Sequence, residues 1–131
     1  MADLLKTFSN PHGTLVFTES AATSTYVDNV FAKTAPVLYA VKLDNSANST
    51  EAVYLKLYAD TNAASTNNIT LGTTNPFFVM KAPASGVVEM YIPGGMAFAS
   101  SNYAHMAVTT TAGVAGTTTP TGTVAVTLVG G

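Results

Sequence analysis

Residues 37–59 read VLYAVKLD, then NSANSTE, then AVYLKLYA. This stretch decides the fold. In its first flank Val37, Tyr39, Val41 and Leu43 share one face, and Leu38, Ala40, Lys42 and Asp44 share the other. In the second flank Val53, Leu55, Leu57 and Ala59 point one way, and Tyr54, Lys56 and Tyr58 the other. A period of two is the side-chain period of a strand; a helix would repeat its apolar positions every three or four residues. The stretch therefore predicts two strands joined as a hairpin. Asn45, Ser46, Asn48 and Ser49 supply the turn, because short polar side chains bond the nearby backbone and tolerate left-handed conformations.

Working outward, the same pattern recurs in short pieces. Thr14–Thr18 and Tyr26–Phe31 are strand candidates towards the N-terminus, the second weakened by Asp28 and Asn29. Towards the C-terminus come Phe77–Ala82, Val87–Ile92, Tyr103–Thr109 and Thr123–Val129. Between them lie breakers. Asn10-Pro11-His12-Gly13, Gly72–Pro76, Pro83–Gly86 and Pro93-Gly94-Gly95 interrupt the chain, since Pro lacks an N–H and Gly permits positive φ. Residues 110–122, rich in Thr and Gly, read as a low-complexity loop too polar and flexible for a core. Seven to nine short strands with turn signals every ~8–12 residues predict an all-β, antiparallel sandwich or barrel. Residues 1–13 are expected to form an N-terminal arm, extended or with one helical turn, and residues 14–131 a single domain.

Composition narrows the function classes. The chain has 131 residues, 47% of them apolar, and a mean hydropathy of +0.30, too hydrophobic for a disordered polymer. Charged residues make up 9% against about 25% in typical domains, so copies repel one another weakly. Five scattered lysines, no arginine and a net charge of -2 provide no basic stripe, which argues against nucleic acid as a partner. Cysteine is absent, so neither a disulfide framework nor a thiolate metal site is expected. Met-Ala-Asp-Leu-Leu-Lys lacks the form of a secretory signal, and no apolar run approaches the ~20 residues of a membrane span. No membrane partner is expected. Without a signal, the triplets at Asn48 and Asn68 read as chance matches in turns.

The residues that could carry chemistry do not assemble into a motif. His12 sits in a turn, and His105 stands among small residues on a strand; a zinc site needs about three protein ligands. Asp44 and Glu51 flank the central turn, where they read as solvated charges near one another. Glu89 alternates with Val88 and Met90, so it belongs to a solvent face or pairs with a lysine. Asp60-Thr61-Asn62 resembles the start of a calcium loop without its Gly and terminal Glu. There is no G-x-S-x-G elbow, and neither Gly94-Gly95 nor the Gly113/Gly116 pair opens a helix that could cradle phosphate. The expectation is a non-enzyme with no cofactor and no metal. Tyr39, Tyr54, Tyr58, Tyr91 and Tyr103 are read either as sheet filling or as contacts, since interfaces and sugar-binding faces favour tyrosine.

The order LYAVKLDNSANSTEAVYLKLYAD, LGTTNP, VMKAPASG, YIPGGMAFAS and TTTAGVAGTTTP resembles small virion structural proteins of tailed bacteriophages, over about residues 36–129. The resemblance lies in strand and turn words and carries over no functional residue. It implies a β-sandwich or jelly-roll module on the capsid surface: a head decoration (cement) protein that binds the major capsid protein as a homo-oligomer such as a trimer. A minor tail or fibre-associated component is the next role implied. A carbohydrate-binding or adhesin module is the competing class, marked by an exposed aromatic platform. For the structural role, Leu4, Leu5 and Phe8 are the candidate apolar anchors of the N-terminal arm, and Tyr54 and Tyr58 the candidate tyrosine contacts.

Overall fold

The structure is a computed structural model; it describes the backbone of residues 3–7 and all of residues 14–64 and 68–131. Eight strands and no helix occur among the described residues. They are β1 (Asp3–Thr7), β2 (Leu15–Glu19), β3 (Val37–Asp44), β4 (Val53–Asp60), β5 (Phe78–Ala82), β6 (Val87–Ala97), β7 (Tyr103–Thr109) and β8 (Ala125–Gly130). A five-stranded sheet has the order β1-β2-β8-β3-β6, and a three-stranded sheet the order β5-β4-β7. All pairings are antiparallel.

The pairings are nested. β2 pairs with β8, Val27 bridges Met106 of β7, β3 pairs with β6, and β4 pairs with β5. The chain is thus one long folded ribbon, closed at the β4–β5 connection and rolled so that alternate pairs fall into opposite sheets. That is jelly-roll connectivity. Tyr26–Phe31 occupies the place of an eighth rolled strand but makes a single bridge. Asn29 has a φ of 49°, a left-handed conformation that Asn tolerates and a strand excludes.

The roll corrects the central hairpin. β3 and β4 do not pair with each other; they belong to opposite sheets. Residues 45–52 carry the chain from one layer to the other. Asn45 is buried and its side-chain N–H groups donate to Glu51 O and Pro83 O at 2.9 and 3.0 Å, so the polar residues there pin a crossover rather than a hairpin turn.

The inner faces meet in one core. Phe17, Leu38, Val41, Leu43, Val126 and Leu128 pack from the larger sheet, and Val53, Leu55, Leu57, Met80, Met106 and Val108 from the smaller. The alternation expected for β3 slips at one place. Tyr39 is an extra residue between Leu38 and Ala40 in the pairings with both neighbours, so Leu38 rather than Tyr39 enters the core. β6 also differs from expectation. It does not end at Pro93 but runs on to Ala97, with residues 92–95 looped out opposite Tyr39. Gly94 and Gly95 take φ values of +78° and +79° there, which side chains rarely adopt.

At the N-terminus, Asp3–Thr7 pairs with β2 as the outermost strand of its sheet, so the helical turn considered for this segment is replaced by a strand.

Candidate interaction surfaces

The two outer faces of the sandwich are built differently. On the three-stranded sheet the outer face carries Tyr54, Lys56, Tyr58 and Asp60 from β4, with Ala107 and His105 opposite Lys56 and Tyr58 on β7. Loops cover it. Ile69 and Leu71 pack with Tyr58, Ala107 and Tyr26 into a second small core. The Tyr26 ring meets Tyr58 edge-on with centroids 5.4 Å apart.

Residues 110–122 lie over the same face, and Lys56 holds them. Its ammonium is buried and donates to the carbonyls of Gly113 and Gly116 at 2.7 and 3.1 Å. Burial holds its pKa below the usual lysine value. Glu51 fastens the far end of the segment, accepting from Thr121 N–H and Oγ1 at 2.6 and 2.9 Å. Ser24 bonds Thr119 through side chain and backbone. The loop expected to be flexible is therefore tied at several points, and Pro120 within it is buried. Thr and Gly make this possible because small side chains leave the backbone carbonyls free to approach the lysine.

His105 anchors the remaining cover. It is buried; its Nδ1 accepts from Asn29 N–H at 3.2 Å and lies 3.2 Å from Asp28 Oδ1. Val27 and Met106 exchange two backbone bonds beside it. Here His105 acts as a brace for residues 26–30. Burial and the neighbouring Tyr58 hydroxyl raise the Tyr26 pKa, and burial raises that of Tyr58. Asp60 Oδ1 accepts from Asn68 at 2.9 Å, so that fragment serves a loop contact. Asp44 and Glu51 do not converge. Asp44 accepts from Ser46, which holds its pKa down, while Glu51 turns to Thr121, with the same effect.

The outer face of the five-stranded sheet is open. Lys42, Glu89 and Tyr91 stand exposed there, with Ala40, Thr127 and Val129 between them. They line a depression of about 410 Å³. Lys42 Nζ and Glu89 Oε1 are 4.0 Å apart. β6 ends this sheet and β5 ends the other, joined by the turn at residues 83–86, so both open edges lie on one side of the sandwich. Of the large apolar side chains that stay exposed among the described residues, Val79 lies on β5 beside Lys56, Val87 and Tyr91 lie on β6 on the outer face of the larger sheet, and Phe77 immediately precedes β5. Phe77 is 42% exposed, Val79 40%, Val87 48% and Tyr91 55%. Phe77 is stacked on Phe98 at 4.6 Å.

Of the residues singled out by sequence, Tyr58 is corrected. It is fully buried in its own chain, because the loops that cover β4 carry no periodic signal of their own. Tyr54 is half-buried, with Lys81 Nζ 6.0 Å from its ring centroid. Leu4 and Leu5 lie on β1 opposite Thr18 and Phe17, and Phe8 and His12 lie outside the described residues. The surface on β5 and β6 was missed as a surface. Its signal was present: alternation in β6 puts Val87, Glu89 and Tyr91 on one face. No group of three or more His, Cys, Asp or Glu side chains that could hold a metal occurs among the described residues. Comparison with protein-family models, with curated proteins and with solved structures finds no match.

Proposed function

We propose that this chain is a non-enzymatic structural protein of a virion, of the head decoration kind, that binds the major capsid protein and stabilises the particle from its outer surface. The observation that carries the reading is the exposure of Val79 on β5 and of Val87 and Tyr91 on β6, the neighbouring edge strands of the two sheets, with Phe77 exposed just before β5. Large apolar groups left exposed along sheet edges are available for contact, and unpaired strand edges offer backbone donors and acceptors to a partner. A chain with 9% charged residues adds little repulsion between neighbours. The jelly roll also serves capsid and lectin domains, which is support by analogy of fold alone. The resemblance in strand and turn words supplies the virion.

The mechanism is burial at several weak contacts at once. A homo-oligomer repeats the same edge around its axis, and each repeat raises the effective concentration of the next contact. β1, at the far edge of the larger sheet, gives a second strand for such contacts.

The test adds purified protein to particles that lack it, then sediments them after heating. Saturable binding at a fixed copy number, with better particle survival, is the expected result. A double change of Phe77 and Val79 to Ser should abolish it while the free protein, though it loses the Phe77–Phe98 stack, keeps the circular dichroism spectrum of the folded parent. Failure to bind heads would withdraw the capsid reading and leave the tail as the next site to test.

A further inference from the structure

We infer that the depression on the outer face of the five-stranded sheet is a binding site for a neutral sugar ring. Strand register lays it out as two rows. Thr127, Lys42 and Glu89 stand side by side across β8, β3 and β6, and Val129, Ala40 and Tyr91 form the next row. Strands are ~4.8 Å apart, so each row spans roughly 10 Å. The middle of the second row is alanine, the smallest side chain available, flanked by a branched and an aromatic one. A dent therefore lies over Ala40, walled by Val129 and Tyr91.

The two rows ask for different chemistry from one occupant. The apolar row offers a rigid aromatic ring whose electron-rich face attracts the polarised C–H bonds of a sugar. The polar row offers a hydroxyl, an ammonium and a carboxylate, which between them donate and accept. Lys42 and Glu89 are only loosely paired at 4.0 Å, with side chains 48% and 71% exposed, so both keep capacity for ligand hydroxyls. Their charges cancel. An anionic or cationic ligand would gain from one and be repelled by the other, whereas an uncharged polyol can use both. A purely apolar occupant would desolvate the polar row without replacing its hydrogen bonds. The volume, about 410 Å³, falls at the small end of ligand sites. The inference shares Tyr91 with the particle-binding reading but is tested apart from it, because Ala40, Lys42 and Glu89 belong to the dent alone and Phe77 and Val79 to the particle contact alone.

The test is a titration of the whole protein with glucose, galactose, mannose, N-acetylglucosamine and N-acetylgalactosamine, followed through backbone amide NMR shifts. One or more of them should shift the amides of residues 40–42, 89–91 and 127–129, with an affinity in the millimolar range expected of so shallow a site. Ala40→Leu fills the dent, and Tyr91→Ala removes its wall; each should weaken binding about tenfold or more. Ala40→Ser keeps the dent open and should retain binding. Both positions lie on the outer face of the sheet, so the melting temperatures of all three variants should stay close to that of the parent. No shift at these amides with any of the five sugars overturns the inference. So does binding that Ala40→Leu and Tyr91→Ala both leave intact.

Discussion

β3 and β4 carry nearly the same word, VKLD at residues 41–44 and LKLY at residues 55–58, yet their lysines live in opposite surroundings. Lys42 stands exposed on the open face of the larger sheet, paired loosely with Glu89. Lys56 is fully buried on the smaller sheet, its ammonium between two loop carbonyls. Both point away from the central core, as their alternation requires. What differs is what lies on top. The larger sheet offers its outer face to solvent, and the smaller one is roofed by the segments around residues 26, 70 and 115. Periodicity says which side of a strand turns from the core. It does not say whether that side meets water.

The tyrosines make the sharpest test of this difference. Tyr58→Ala would empty a buried site shared with Tyr26, Ile69 and Ala107, and should cost about 3–5 kcal/mol in urea unfolding. Tyr91→Ala on the open face should stay within about 0.5 kcal/mol of the parent. Equal losses would mean that the roof over β4 contributes no more to stability than open sheet. The lysines come next. Lys56→Ala removes two charge-assisted bonds and leaves the carbonyls of Gly113 and Gly116 short of donors, for an expected loss of about 2–3 kcal/mol. Lys42→Ala should again cost less than about 0.5 kcal/mol. Faster amide exchange across residues 110–122 in the Lys56 variant alone would tie that loss to release of the loop.

The same contrast explains what was legible beforehand. The alternation of residues 37–44, 53–59 and 103–109 located three strands closely, and the sum of short strands pointed to an antiparallel sandwich. The sheet to which each strand belongs was not legible. A crossover of eight residues and a hairpin loop draw on the same Asn and Ser, and the partner of β3 lies some 50 residues on, in β6. Nor was the roof legible. Residues 110–122 read by composition as a flexible low-complexity loop, and the groups that tie them down, Lys56, Glu51 and Ser24, lie far away in sequence. The Pro93-Gly94-Gly95 triplet was read as a stop because each residue disfavours a flat strand. Opposite the extra residue Tyr39 it instead becomes a bulge inside β6.

That bulge divides the open side internally. Gly94 and Gly95 share a left-handed φ, but a Cβ on Gly94 would meet nothing within 4 Å, whereas one on Gly95 would lie 2.3 Å from Val37 Cγ1 and 2.8 Å from Tyr39 Cε1. Gly94→Ala should therefore cost only the backbone strain, about 1 kcal/mol. Gly95→Ala adds displacement of β3 side chains and should cost about 2 kcal/mol or more. If the two variants melt together, the bulge is loose and does not pack on β3.

The smallest expected effect is the one with a distinctive sign. Lys56 has its pKa lowered in the folded chain by burial. Between that depressed value and the unfolded value of 10.5 the unfolded chain holds more protons, so stability rises with pH across the window and is flat below it. Tyr26 and Tyr58 act the other way. Their pKa values are raised above 10.0 in the fold, chiefly by burial, so the unfolded chain loses those protons first and stability falls once the pH passes 10.0. All three groups sit under the roof of the smaller sheet, so the covered face should write a shallow maximum into the alkaline stability curve. Urea unfolding from about pH 7 to about pH 11 should show the rise and then the fall. Lys56→Met should erase the rise and keep the fall, while Tyr26→Phe should soften the fall and keep the rise. A Lys56→Met curve that keeps its rise would place the titrating group elsewhere and remove burial of this ammonium as the feature that sets the two faces apart.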